Sequence, residues 1–177
     1  SNLMSRLMKN QELKDIILNE TPWVNDADNE TKQKQLLSSF FDESGMQYNI
    51  SAVLDKLKKL QNEDGSWSWW PDMEGSECIT AYVIKTIVRL NKMAGIQQDT
   101  KEMLKYAFNY MGRHIVKDVE NIKEDEKNGI HHNSINNTQL NFLYSCALDG
   151  RTLKNNVREA NDYLINILQK MTKEQSL

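Results

Sequence analysis

Gln61-Asn62-Glu63-Asp64-Gly65-Ser66-Trp67-Ser68-Trp69-Trp70, followed closely by Ile79-Thr80-Ala81-Tyr82-Val83-Ile84-Lys85-Thr86, is the stretch on which the fold turns. Asn62 to Gly65 has turn chemistry: an Asp side chain accepts backbone N–H groups, and a Gly takes positive φ without strain. Gln61, just before the turn, is expected to satisfy backbone groups at a helix end. Trp67 is expected to fold back on that helix while its N–H finds an acceptor. Three Trp within four positions suit the plugged end of a helix layer. An interface anchor is the second reading, and Trp69 and Trp70 are the candidates for that role. The second half of the stretch repeats its apolar residues at helical spacing.

Working outward, the same period dominates the chain and no strict apolar alternation appears. A helix over about Asn49 to Leu60 precedes the turn, with Ile50, Val53, Leu54, Leu57 and Leu60 on one face and Lys56, Lys58 and Lys59 opposite. Further upstream, helices are expected over about Leu3 to Asn19, ended by Thr21-Pro22, and from Asp28 or Asn29 to Phe41. After the Trp-rich loop, Ser76 caps a helix with Ile79, Tyr82, Val83, Thr86, Ile87 and Leu90 inward, closed by Gly95. Asp99 or Thr100 opens the next, carrying Met103, Leu104, Ala107, Phe108, Met111 and Ile115. The charged run Lys117 to Gly129 is expected as a solvated helix end or a loop. Asn136 or Asn137 starts a helix with Leu140, Phe142, Leu143 and Tyr144, stopped at Asp149-Gly150. A last helix carries Leu153, Val157, Ala160, Leu164, Ile167 and Leu168. The expectation is an all-α fold of about seven helices in one domain spanning 1–177. Helices this amphipathic must bury their faces against one another.

The composition narrows the function classes. The 177 residues hold 39% apolar and 27% charged side chains, with only 2 Pro and 7 Gly. The net charge of −3 and the absence of a clustered basic stripe argue against nucleic acid, whose phosphates need a basic face. No apolar run reaches the roughly 20 residues that a membrane span needs, so no membrane insertion is expected. The chain opens without Met or a signal-peptide pattern, as expected of a piece of a longer protein.

No constellation of catalytic or metal-ligating residues stands out. His131-His132 are adjacent, lack a third ligand at fixed spacing, and are read as a loop or inner-face hydrogen bond. His114 stands alone. Asp26-Ala27-Asp28 lacks the Gly and distant Glu of a calcium loop, and Glu124-Asp125-Glu126 belongs to the charge run. Cys78 and Cys146 are expected as small buried apolar residues, with a single bridge between them left open. No catalytic residue, metal or cofactor is expected, and the chain is not expected to be an enzyme.

The quoted stretch resembles the thioester-containing helical domain of α2-macroglobulins and complement-type proteins. That family places a Gln-x-x-Asp-Gly-Ser-aromatic turn before a helix reading roughly Leu-Thr-Ala-aromatic-Val. Upstream, Lys9-Asn10-Gln11-Glu12-Leu13-Lys14 and Glu20-Thr21-Pro22-Trp23-Val24 are similar to bacterial members, especially of Bacteroidetes type. The resemblance covers most of Leu3 to Asn91, and Gln139 to Tyr144 fits as well. It implies an α/α toroid, a ring of helical hairpins. It also implies a part in protease inhibition: cleavage of a bait segment elsewhere lets the parent collapse round the protease. Many members then couple to the protease through a Cys–Gln thioester.

The thioester motif, Cys-Gly-x-Gln, is absent from this sequence. Cys78 continues as Ile79-Thr80-Ala81 and Cys146 as Ala147-Leu148-Asp149. The resemblance therefore carries over only scaffold positions: Gln61, Asp64, Gly65, Trp67, Thr80 and Ala81. It implies an exported parent in the periplasm or cell envelope. The partners it implies are neighbouring domains of that parent and, through it, target proteases. The Gln-x-x-Asp-Gly-Ser-Trp string also resembles the QW motif of terpene cyclases and their prenyltransferase relatives. The Asp-x-Asp-Asp, Asp-Asp-x-x-Asp and zinc-ligand motifs of those enzymes are missing here. A helical protein-interaction domain without a protease link is the remaining reading.

Overall fold

A computed structural model of the chain describes residues 43–70 and 72–174, which are mostly helical. Five helices run in order: α1 Glu43–Leu60, α2 Glu77–Ala94, α3 Gln97–Lys127, α4 Asn137–Asp149 and α5 Asn155–Glu174. The expected count was about seven. The two helices expected over residues 3–19 and 28–41 lie outside the described residues. The five found correspond to the remaining five, and among the described residues the nearest thing to a strand is the lone bridge between Trp67 and Ser76.

Two compact units are distinguishable. One includes residues 43–59 and 93–95, the other 60–92 and 96–174. In the first, α1 buries Leu54, whereas Val53 and Leu60, expected on the same inward face, are exposed.

The second unit holds α2 to α5. Ser76 caps α2, its Oγ accepting from Ile79 N at 3.3 Å and its carbonyl from Thr80 N at 2.9 Å. The buried stripe of α2 is Thr80, Ala81, Ile84, Ile87, Val88 and Asn91. Tyr82 and Thr86, expected inward, are exposed. The stripe turns by about one residue because Thr80 must face the Trp67 backbone and because Asn91 meets Thr100 of α3 at 2.9 Å.

Helix α3 is longer than the sequence suggested. Of the two readings of the run from Lys117, a solvated helix end or a loop, the helix is the one found: it continues to Lys127 with its charged side chains turned outward. Ile115, Val119 and Ile122 extend the buried stripe at the spacings of one helix face, beneath the charged outer side. The helix stops where Asn128 N–H bonds back to the carbonyls of Glu124 and Asp125, and Gly129 takes φ +82°. Helix α4 opens with a capping box: Asn136 Oδ1 accepts from Gln139 N at 2.8 Å, and Gln139 Oε1 accepts from Asn136 N at 3.0 Å. Its buried face is Gln139, Phe142, Leu143, Ser145 and Cys146, leaving the expected inward residues Leu140 and Tyr144 exposed. Helix α5 buries Val157, Ala160, Asn161, Leu164 and Ile167.

Cross-helix contacts fix the directions. Glu77 meets His114 and Asn91 meets Thr100, so α2 and α3 are antiparallel. Gln139 reaches Asp118 at 3.1 Å, and Arg151, just past α4, lies 3.7 Å over the Phe108 ring, so α4 is antiparallel to α3 as well. Gly112 faces Val157, while Lys123 and Glu126 meet Tyr163, so α3 and α5 run parallel and pack together. Helices α2 and α4 are parallel, joined by Lys85 Nζ donating to Asn141 Oδ1 at 3.1 Å. Two successive antiparallel hairpins with like helices side by side are the repeating element of an α/α toroid. Among the described residues no helix is long and apolar enough to cross a membrane.

Candidate functional site

The turn between α1 and α2 is built from short polar side chains that bond backbone. Gly65 N–H donates to Asn62 O at 2.9 Å, and Asn62 N–H to Ser66 O at 2.8 Å. Asp64 Oδ1 accepts from Ser66 N at 3.0 Å and from Ser66 Oγ at 2.6 Å. Asn62 Nδ2 donates to both Ser66 Oγ and Ser68 Oγ, which ties this turn to the next. These bonds hold the turn together where Gly65 and Ser66 become buried.

Gln61 does more than end a helix. Its Nε2 donates to Gly65 O at 3.0 Å and to Met103 O of α3 at 2.9 Å. Gly65 has φ +93°, and a Cβ there would lie 2.2 Å from Tyr106 O. Only Gly lets the turn approach α3 this closely. Arg113 of α3 donates to Asp64 O at 3.2 Å. Trp67 is 3% exposed. Its backbone N–H donates to Thr80 Oγ1 at 2.9 Å, Thr80 Oγ1 donates back to Trp67 O, and Ser76 N–H donates to the same carbonyl at 2.8 Å. Ala81 beside it is fully buried. Gln61, Asp64, Gly65, Trp67, Thr80 and Ala81 therefore come together, joining the turn to α2 and α3.

Residues that sequence reasoning passed over complete the joint. Gly75 packs so tightly that a Cβ would fall 1.9 Å from Ser66 Oγ, and its carbonyl accepts from Tyr110 Oη at 3.3 Å. The Tyr110 phenol is held above its ordinary value by burial first, then by the carboxylates of Glu77, Asp64 and Glu74, with Arg113 opposing. His114 stacks 4.4 Å from the Tyr110 ring and meets Glu77 at 2.8 Å. Polar residues at 62, 66 and 68 were a readable signal. The demands on Gly75 and Tyr110 were not, because their partners are remote in sequence.

Trp69 and Trp70 behave differently from Trp67: they are 67% and 71% exposed. They stand on a second tight turn whose base is clamped by Ser68 Oγ donating to Met73 O at 2.6 Å. Asp72 takes φ +63° in it, unusual for a residue with a side chain.

The other sequence candidates lie elsewhere. His132 bonds Asp125 at 2.7 Å and His131 is exposed, both beside a cavity of about 410 Å³ between the end of α3 and α5. Among the described residues no group of His, Cys, Asp and Glu has the geometry to hold a metal ion. Both cysteines are free. Cys146 is buried, as expected. Cys78 is exposed, contrary to expectation, in the first turn of α2 ahead of the buried stripe that begins at Thr80.

Comparison with known proteins bears on the region just described. No curated protein and no solved structure matches the chain. The family profile of the A-macroglobulin TED domain matches residues 29–118, just over half of the sequence. That span takes in the whole Gln61–Trp67 turn, α2 and most of α3, the elements that the turn joins. This chain belongs to the A-macroglobulin TED domain family.

Proposed function

We propose that this chain forms part of the helical wall of an α2-macroglobulin-like protease trap of bacterial, Bacteroidetes type. In this reading the chain performs no catalysis. It holds a rigid layer of hairpins and presents surfaces to neighbouring domains of an exported, periplasmic or cell-envelope parent. One observation carries the reading. The motif side chains shared with the family are spent on tying the turn to α2 and α3: Gln61 on Gly65 and Met103, Asp64 on Ser66, Thr80 on Trp67. A thioester carried by another segment of the parent is compatible with this role, and no residue here supplies one.

The test uses the full-length protein that contains this chain. It is incubated with an endoprotease, and residual activity is followed on a large protein substrate and on a small chromogenic peptide. A trap suppresses cleavage of the large substrate while the peptide is still cut. Equal activity on both substrates, with and without the protein, would refute the reading. Turnover of a prenyl diphosphate by this chain would refute it in favour of the cyclase-like alternative.

A further inference from the structure

The tip formed by Trp69, Trp70 and Met73 is not explained by the joint beneath it. All three side chains are more than half exposed. The turn that carries them is clamped by Ser68 Oγ on Met73 O and by Met73 N–H on Trp70 O, and Ser68 is itself held by Asn62. Two exposed indoles therefore share a turn whose base is held by hydrogen bonds.

The segment that carries the tip has charge of one sign. From Leu60 to Ile84 the sequence has no Lys or Arg and five acids: Glu63, Asp64, Asp72, Glu74 and Glu77. Asp64, Glu74 and Glu77 each help to hold the Tyr110 phenol above its ordinary value, after burial. The guanidinium that reaches them, Arg113, donates to the Asp64 carbonyl, and His114 answers Glu77. Asp72 and Glu74, in the Trp-bearing turn, are exposed.

We propose that this tip is a docking site for a separate polypeptide that presents Arg or Lys side chains, with the cations stacking on Trp69 and Trp70 and pairing with Asp72 and Glu74. Indole faces attract cations more strongly than other rings do, and nearby carboxylates reinforce that attraction. The acidic rim disfavours an anionic membrane surface, where exposed Trp would otherwise insert. A rim of solvated charge chiefly speeds encounter, which benefits a partner arriving in trans. The inference is independent of the protease-trap reading, and either can fail without the other.

The experiment titrates the full 177-residue chain with a short Arg-Gly repeat peptide, following the indole N–H resonances of Trp69 and Trp70, assigned through Trp69→Phe and Trp70→Phe. The expected result is a saturable shift confined to those two indoles, weakened at least about threefold by raising salt well above physiological strength. Trp69→Ala or Trp70→Ala, each read on the remaining indole, weakens binding severalfold or more. Asp72→Asn with Glu74→Gln weakens it severalfold while leaving the fold intact, since Asn tolerates the backbone conformation of Asp72. A Glu-Gly repeat peptide gives no shift. The proposal is overturned if the Arg peptide produces no saturable shift, if the Glu peptide shifts the same signals equally, or if anionic vesicles perturb the two indoles while the Arg peptide does not.

Discussion

Trp67 is fixed through its backbone as much as its ring, with Thr80 Oγ1 accepting its N–H at 2.9 Å in a fully buried setting. Thr80→Val keeps the shape and removes the acceptor. It should cost about 1–3 kcal/mol in urea unfolding, because the stranded N–H cannot reach water. Gly65→Ala should cost at least about 2 kcal/mol, since φ +93° and a contact 2.2 Å from Tyr106 O both oppose a Cβ. At the C-terminal end of α3, Tyr163 is pushed up to about 12, first by its hydrogen bond to Glu126, then by burial and the Glu126 charge. A phenol raised in this way holds its proton more tightly folded than unfolded. Its contribution is whole below pH 10 and is lost as pH rises toward about 12. Tyr163→Phe should flatten stability against pH across that window, and an unchanged slope would rule the pairing out. Burial lifts the Cys146 thiol to about 11, against a hydrogen bond from Asn161. A thiol reagent at about pH 8 should therefore label Cys78 and spare Cys146 until the protein unfolds. Asp64, Gly65 and Trp67 were legible in the sequence because their residue types dictate local conformation. The partners Met103 and Tyr106 were not, since nothing in a sequence marks which backbone a side chain will reach some forty positions away.

Among the elements, α3 shows how a charge run can hide a buried stripe within a solvated helix end. Lys117 to Lys127 looks solvated when charges are counted, yet Val119 and Ile122 continue the stripe of Ile115 at one per turn. Two apolar residues among so many charged ones were too few to outweigh composition by eye, although they suffice to bury a helix face. Ile122→Ala should cost about 2–4 kcal/mol if that last stretch is packed, measured by thermal or urea unfolding. A change near zero would mean that the stretch frays. The registers of α2 and α4 were each misjudged in part. Tyr82, Leu140 and Tyr144 are apolar enough to count as core, but the polar residues Thr80, Asn91, Gln139 and Ser145 take buried places instead. Each of those has a specific partner, and a hydrophobic pattern does not encode partners. The capping box of α4, by contrast, was half visible in Asn136. Asn136→Ala should lose about 1 kcal/mol.

On the scale of the molecule, α2 to α5 form two hairpins laid side by side, and the turn before α2 joins the layers by reaching α2 through Thr80 and α3 through Gln61. The helical class was readable from period alone, and the toroid from the resemblance. The pairing of like helices was not, because it depends on contacts such as Gly112 against Val157. The central claim is that the Gln61–Trp67 turn is part of the folded core. Native-state hydrogen exchange tests it most directly by comparing the amide of Trp67 with amides in the middle of α3, such as Met111. If the turn is a packing joint, the Trp67 amide exchanges only on global unfolding, with the same free energy as Met111. Exchange of Trp67 at the rate of an open loop, while Met111 stays protected, would contradict the account.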